Sequence, residues 1–230
     1  MEPAFDGCAD RYEEELAQGL SVTGEGMDYY ARERLRWVRR LVERDRAAVN
    51  RVLDFGCGVG RATPYLFEIL GAQDVVGVDV STRSLEKARE QYASAHARFV
   101  SPADIDGTLG PFDLAFTNGV FHHIPPAQRA AAVRFVHDAL RPGGVFAFWE
   151  NNPWNPGTRY IMSRVSFDAD AITLPPPESR ALLRGAGFQV LGTTSRFYFP
   201  RSLALLRGLE PALASLPLGG QYLVWCRRPS

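Results

Sequence analysis

The sequence predicts an α/β fold: a doubly wound, mostly parallel sheet of seven strands within a single domain. Three observations carry this. Short apolar runs alternate with amphipathic stretches between residues 51 and 150, the pattern of right-handed βαβ crossovers. One of those runs passes directly into a glycine-rich turn. The 230 residues are 46% apolar and 23% charged, the make-up of one globular domain with a substantial core.

In chain order, 1–50 is expected to form an N-terminal helical cover, because Tyr30, Leu35, Val38, Leu41 and Val42 make an apolar stripe along 28–45. Residues 51–150 are the nucleotide-binding half, with strands at 51–55, 74–79, 97–100, 112–118 and 144–150. Helices fall between them at 61–70 (Tyr65, Leu66, Ile69), at 81–94 behind the capping residue Ser81, and at 126–140. Residues 151–230 form a cap inserted after the fifth strand and the last strands. The stretch 151–177 is proline-rich and aperiodic, as expected of a long functional loop. A short helix at 178–185 and strands at 188–199 and 221–227 follow. Leu203, Leu206, Leu209, Leu213 and Leu216 recur at helical spacing, which reads as ordinary core or as a dimer face; the chain is expected to be a monomer or homodimer.

Basic and acidic residues balance at 26 each, so no overall field attracts nucleic acid. The balance hides a split: 17 basic against 22 acidic residues in 1–150, and 9 against 4 in 151–230. The C-terminal third therefore faces something anionic, or carries arginines on solvated surfaces. Cys8, Cys57 and Cys226 are odd in number and widely spaced, which suggests neither disulfides nor a zinc site and fits a reducing cytoplasm. No export signal or membrane span is expected.

The informative segment is 52–60, a strand entering Gly56-x-Gly58-x-Gly60. Glycines let the backbone approach a ligand, and Asp79, at the end of the second strand, is placed to accept both hydroxyl hydrogens of a ribose. A pyrophosphate-binding turn needs Gly-x-Gly-x-x-Gly, but Arg61 stands where its last glycine would lie, so a phosphate-free nucleoside is favoured over a dinucleotide.

At these residues the chain resembles the class I S-adenosylmethionine-dependent methyltransferases. The resemblance extends through Ala103-Asp104-Ile105, 112–118 with Phe121-His-His-Ile-Pro125, and 140–146. It implies a Rossmann-like fold and S-adenosylmethionine as cofactor. Asp54, Gly56 and Gly58 would then line its methionine part, Asp79 and Val80 its ribose side, Asp104 and Ile105 the adenine edge, and Asn118 the sulfonium region. The N-terminal stretch and Glu150-Asn-Asn-Pro-Trp-Asn-Pro156 look like a bacterial small-molecule subgroup, which adds Tyr12, Tyr30 and Arg34 as cofactor contacts. The same helix equally reads as a plain cover for the sheet edge.

Methyl transfer from a sulfonium needs no metal in principle, and needs a base only where the acceptor must lose a proton. None was expected as a ligand. His123, then His122, and Glu150 at the end of the fifth strand are the candidate catalytic groups, each with packing as the competing explanation. Trp154, Arg159, Tyr160, Phe199 and Arg201 are the candidate acceptor contacts, suited to a small molecule with an apolar body and an anionic group. A cofactor-binding accessory protein without transfer activity is the alternative.

Overall fold

The computed structural model describes residues 12–105 and 109–230, with side chains from Glu14 onward. The expected cofactor contact Tyr12 starts the first helix, but its side chain lies outside the described residues. Helices α1 (Tyr12–Leu20) and α2 (Met27–Asp45) precede β1 (Arg51–Phe55). A single turn, α3 (Thr63–Tyr65), widens into a π-helical turn over Leu66–Leu70 that Gly71 ends at φ +75°. Then come β2 (Asp74–Val78), α4 (Thr82–Tyr92), β3 (Ala97–Val100), β4 (Phe112–Asn118), α5 (Pro126–Ala139) and β5 (Leu140–Asn151). The C-terminal third holds α6 (Pro156–Met162), α7 (Pro176–Gly185), β6 (Gln189–Arg196), α8 (Glu210–Leu213) and β7 (Gln221–Arg227).

The seven strands form one sheet in the order β3-β2-β1-β4-β5-β7-β6. The first five are parallel, and β7 is antiparallel to both β5 and β6. Strand alternation sends Val52, Leu114, Phe116, Val145, Trp149, Leu223 and Trp225 to the face covered by α2, where Leu35 and Val38 are fully buried. Leu53, Phe55, Phe146, Phe148, Tyr222 and Val224 go to the opposite face, under Val133 and Val136 of α5 and Leu183 of α7. Ser81 caps α4 by accepting from the Ser84 N–H at 3.1 Å, and Asn155 caps α6 by accepting from the Thr158 N–H at 2.9 Å.

Two expectations need correction. The fifth strand begins at Leu140, not at 144, because a register shift pairs Phe112 with Leu140 and Leu114 with Val145, absorbing Pro142 and Gly143 as a bulge. The leucine stripe is not core: Arg201–Leu209 is a 3-10 helix broken at Leu203, and Leu203, Leu205, Leu206, Leu209 and Leu216 are exposed. Among the described residues no helix is long and apolar enough to cross a membrane.

Candidate cofactor and acceptor site

A cavity of about 440 Å³ opens over the carboxyl ends of the central strands, on the face that α2 covers. The period of two explains its polar floor. Asp54, Asn118, Asn151 and Gln221 continue the α2-facing stripes of β1, β4, β5 and β7 past the last apolar residue, and all four line the cavity. Gln221 ties β7 to β5 and to α2: its amide donates to Asn151 Oδ1 at 2.8 Å and accepts from Arg34 Nε at 2.7 Å. Arg34 and Tyr30 project from α2 into the same space.

The glycine turn forms one wall. Gly56 adopts φ +72°, and a Cβ there would stand 2.3 Å from Val120 Cγ2; Gly58 adopts φ +52°, and a Cβ there would meet no atom within 4 Å. The first glycine is thus required by packing and the second borders open space. Asp79 fixes this turn from outside the cavity, its carboxylate accepting from the Gly58 N–H at 2.8 Å and the Ser81 N–H at 2.9 Å. Val80 is 60% exposed. Ile105 packs onto the core, and Asp104 is exposed, accepting from Ser101 Oγ at 2.8 Å. None of these four borders the cavity, and residues 106–108 beside them lie outside the described residues.

Asp54 is the most telling group. It is fully enclosed, its Oδ2 has no hydrogen-bond partner, and burial together with the negative charge of Asp79 raises its pKa to about 7. An uncompensated buried carboxylate in a cavity wall fits a ligand with positive charge, which S-adenosylmethionine carries on its ammonium and sulfonium groups.

Opposite the turn, His122 and Glu150 are buried. Glu150 accepts from the N–H groups of Val120 (3.1 Å) and Phe121 (2.7 Å), and its Oε2 lies 2.6 Å from His122 Nδ1. Burial alone would lower the His122 pKa, but the Glu150 and Asp168 carboxylates outweigh it and push it up to about 9. Glu150 touches only the backbone and His122, so it is a positioning residue, not a group that meets the substrate. His123 is less enclosed, borders the cavity, and places Nε2 3.3 Å from Asp168 Oδ1.

Asp168 and Asn151 were not among the expected site residues, and both line the cavity. Asp168 follows from no motif: it is one acid in an aperiodic segment, brought in because Ile172 N–H donates to the His122 carbonyl at 2.9 Å. Tyr160 and Phe199 line the cavity as expected. Trp154, Arg159 and Arg201 do not: Trp154 is 47% exposed, Arg159 faces a separate groove on the far side of α6, and Arg201 donates to the Gly24 carbonyl at 3.4 Å. The C-terminal segment instead clamps the N-terminal cover, with Arg207 2.7 Å from Glu25 and 4.5 Å above the Tyr29 ring.

Comparison with known proteins agrees with this geometry. Residues 53–146 match a family described as a methyltransferase domain. An uncharacterised methyltransferase of Synechocystis is 37% identical over 98 residues, 43% of this chain and 45% of that protein. A trans-aconitate 2-methyltransferase of Azoarcus is 37% identical over 126 residues, 51% of this chain and 46% of that protein. The chain thus spans about half the length of these relatives. Among solved structures, a TehB-like methyltransferase of Corynebacterium glutamicum aligns with a TM-score of 0.63 at 18% identity, covering 97% of this chain and 99% of that one. An S-adenosylmethionine-dependent methyltransferase of Mesorhizobium loti aligns at 0.58 and 22%, covering 79% and 92%. Residues 53–146 thus match a methyltransferase domain, and the fold of the chain is that of solved S-adenosylmethionine-dependent methyltransferases.

Proposed function

We propose that this chain transfers the methyl group of S-adenosylmethionine to a small organic acceptor with an apolar body and an anionic group. The single observation that carries the reading is the continuity of the cavity: the glycine turn and Asp54 border one end, and His123, Phe167 and Tyr160 border the other. When bound, the cofactor supplies an activated methyl group, so the chain's own work is to orient an acceptor and keep water out. Asp54, Gly56, Gly58, Asn118, Tyr30 and Arg34 hold the methionine end, and the nucleoside end lies beyond the cavity, beside Asp79, Val80, Asp104 and Ile105. Tyr29, Phe167 and Phe199 offer aromatic surface to the acceptor's body, and Arg34 is a cation in the same wall. A relative named for trans-aconitate, a polyanionic acid, supports the anionic part of the reading. For an oxygen or nitrogen nucleophile, the His123–Asp168 side of the cavity receives the proton that leaves.

The test is transfer of labelled methyl from S-adenosylmethionine to a panel of small carboxylate-bearing acceptors and their neutral esters. Acids should be methylated in preference to esters; label on the esters alone would overturn the anionic reading. In the same preparation, Asp79→Asn should weaken S-adenosylhomocysteine binding by about 1–3 kcal/mol, through loss of charge-assisted hydrogen bonds to turn and ligand. Unchanged affinity would remove Asp79 from the site, and NAD should not compete.

Asp54 adds a pH signature. Its folded-state pKa lies above the unfolded value, so the stability it contributes is complete below about pH 4 and is lost as pH rises through about 7. A cationic ligand reverses the preference by favouring the ionised form. Affinity for S-adenosylmethionine should therefore climb between pH 6 and 8, with proton release that calorimetry in two buffers of different ionisation enthalpy detects. Asp54→Asn should abolish that release; if it persists, another group is the source.

A further inference from the structure

Two imidazoles and a carboxylate converge at the cap side of the cavity. Nε2 of His122 and Nε2 of His123 lie 3.5 and 3.3 Å from one oxygen, Asp168 Oδ1, and single donor atoms of the three residues all fall within 4.8 Å of one another. Ligands held about 2.0–2.1 Å from a tetrahedral ion stand about 3.3–3.4 Å apart, so the two shorter separations match edges of such a site. Asp168 Oδ1 is buried, and the two imidazole Nε2 atoms are its polar neighbours, a donor set that a bound cation would share.

The surroundings hold these donors in place. Glu150 Oε2 stands behind His122 Nδ1 at 2.6 Å, and a carboxylate behind an imidazole fixes the ring so that Nε2 faces a metal. The segment carrying Asp168 is tied down on both sides. Glu15 of α1 accepts from the Ser166 N–H at 3.1 Å, and the buried Arg129 guanidinium donates to the Ile172 carbonyl. All three donor residues border the cavity, so a bound ion would present its remaining position there.

We propose that His122, His123 and Asp168 bind a divalent transition-metal ion of the zinc type, whose open position takes an oxygen of the acceptor. The site itself stands on geometry; its role toward the acceptor rests on the methyl-transfer reading. Two nitrogen donors and one oxygen suit Zn²⁺ and its neighbours, whereas Mg²⁺ and Ca²⁺ prefer oxygen-only sets. With the ion bound, both imidazoles are ligands, and the ion in place of a free base stabilises negative charge on the acceptor oxygen.

The experiment strips the full chain with a chelator and titrates it with Zn²⁺ by calorimetry and with Co²⁺ by visible absorption. S-adenosylhomocysteine binding serves as the folding control for each variant. One equivalent of Zn²⁺ should bind, and Co²⁺ should give the intense visible bands of a four-coordinate site. His123→Ala and Asp168→Asn should each weaken Zn²⁺ binding at least hundredfold, and Glu150→Gln about 10–100-fold, with S-adenosylhomocysteine affinity held within threefold. Absence of stoichiometric uptake by the wild-type chain overturns the site, as does uptake that both His123→Ala and Asp168→Asn leave intact. Should a variant fail the folding control, the wild-type Co²⁺ spectrum decides, since a spectrum of hydrated ion alone overturns the proposal. Metal uptake combined with transfer indifferent to chelator overturns the acceptor role and leaves methyl transfer standing. A loaded site in a chain that moves no methyl group overturns the transfer reading instead.

Discussion

Replacement of His123 by alanine is expected to lower kcat by about 10²–10⁴-fold while leaving S-adenosylhomocysteine affinity nearly unchanged. The separation follows from position: His123 borders the acceptor end of the cavity, whereas Asp54 and the glycine turn border the other. Its partner Asp168 Oδ1, 3.3 Å from Nε2, orients the ring and stabilises it when charged. Added imidazole should restore part of the rate if His123 carries a proton, and none if it only packs. A loss below threefold in both His123→Ala and His122→Ala would return the two histidines to a packing role. A thioether or a thiolate acceptor lies outside this prediction, because no proton leaves it, and a carbon acceptor need not give its proton to this ring.

Gly56→Ala is expected to be the most damaging single-methyl change in the glycine turn. At φ +72° any side chain costs about 1–2 kcal/mol, and its Cβ would overlap both Val120 methyl groups, at 2.3 and 2.7 Å. Overpacking of that kind adds about 1–3 kcal/mol, because Val120 is hemmed in by Gly56 on one side and by its N–H bond to Glu150 on the other. In a Val120→Ala background both methyl overlaps disappear, leaving the dihedral cost and a tight 3.1 Å approach to Cβ of residue 120. Denaturant unfolding of the four proteins of this cycle should therefore give a coupling of about 1–3 kcal/mol between the two positions. Additive behaviour would mean that the turn moves away from Val120 at little cost.

Much of this architecture was legible in the chain. The parallel strands announced themselves because each is a short apolar run closed by a breaker, and residues 221–227 were placed to the residue as the last strand. The fifth strand was cut short because Pro142-Gly143-Gly144 reads locally as a turn, while the partner strand supplies a bulge that sequence spacing does not encode. The leucines at 203–216 misled for a related reason: spacing records which side chains could share a face, but not whether anything lies opposite that face. In the site, the glycines were legible because backbone conformation restricts residue type there, whereas Asp54 entered through the family resemblance. Gln221 was within reach, since it shares the alternation of Leu223 and Trp225 and ends it with a polar group. Asp168 was not, because its place depends on hydrogen bonds from a distant helix and strand end, to which neither periodicity nor local composition responds. Arg159 and Arg201 were chosen for their charge alone, and charge does not say which side of a helix or loop a group occupies.

The position of β7 bears on how the chain comes into being. It is made after the other six strands of the sheet, yet it sits inside it, between β5 and β6, and its residues from Tyr222 to Cys226 are almost wholly buried. On the ribosome, β5 is complete long before this strand emerges, so its hydrogen-bonding edge and the large side chains Phe146, Phe148 and Trp149 must wait without their neighbour. Closure of the sheet is accordingly a late event, in which β7 adds to the β5 edge and brings in β6, whose strand partner is β7. In that interval the open β5 edge is the surface most in need of a holding chaperone, and the one through which two unfinished chains would pair by mistake.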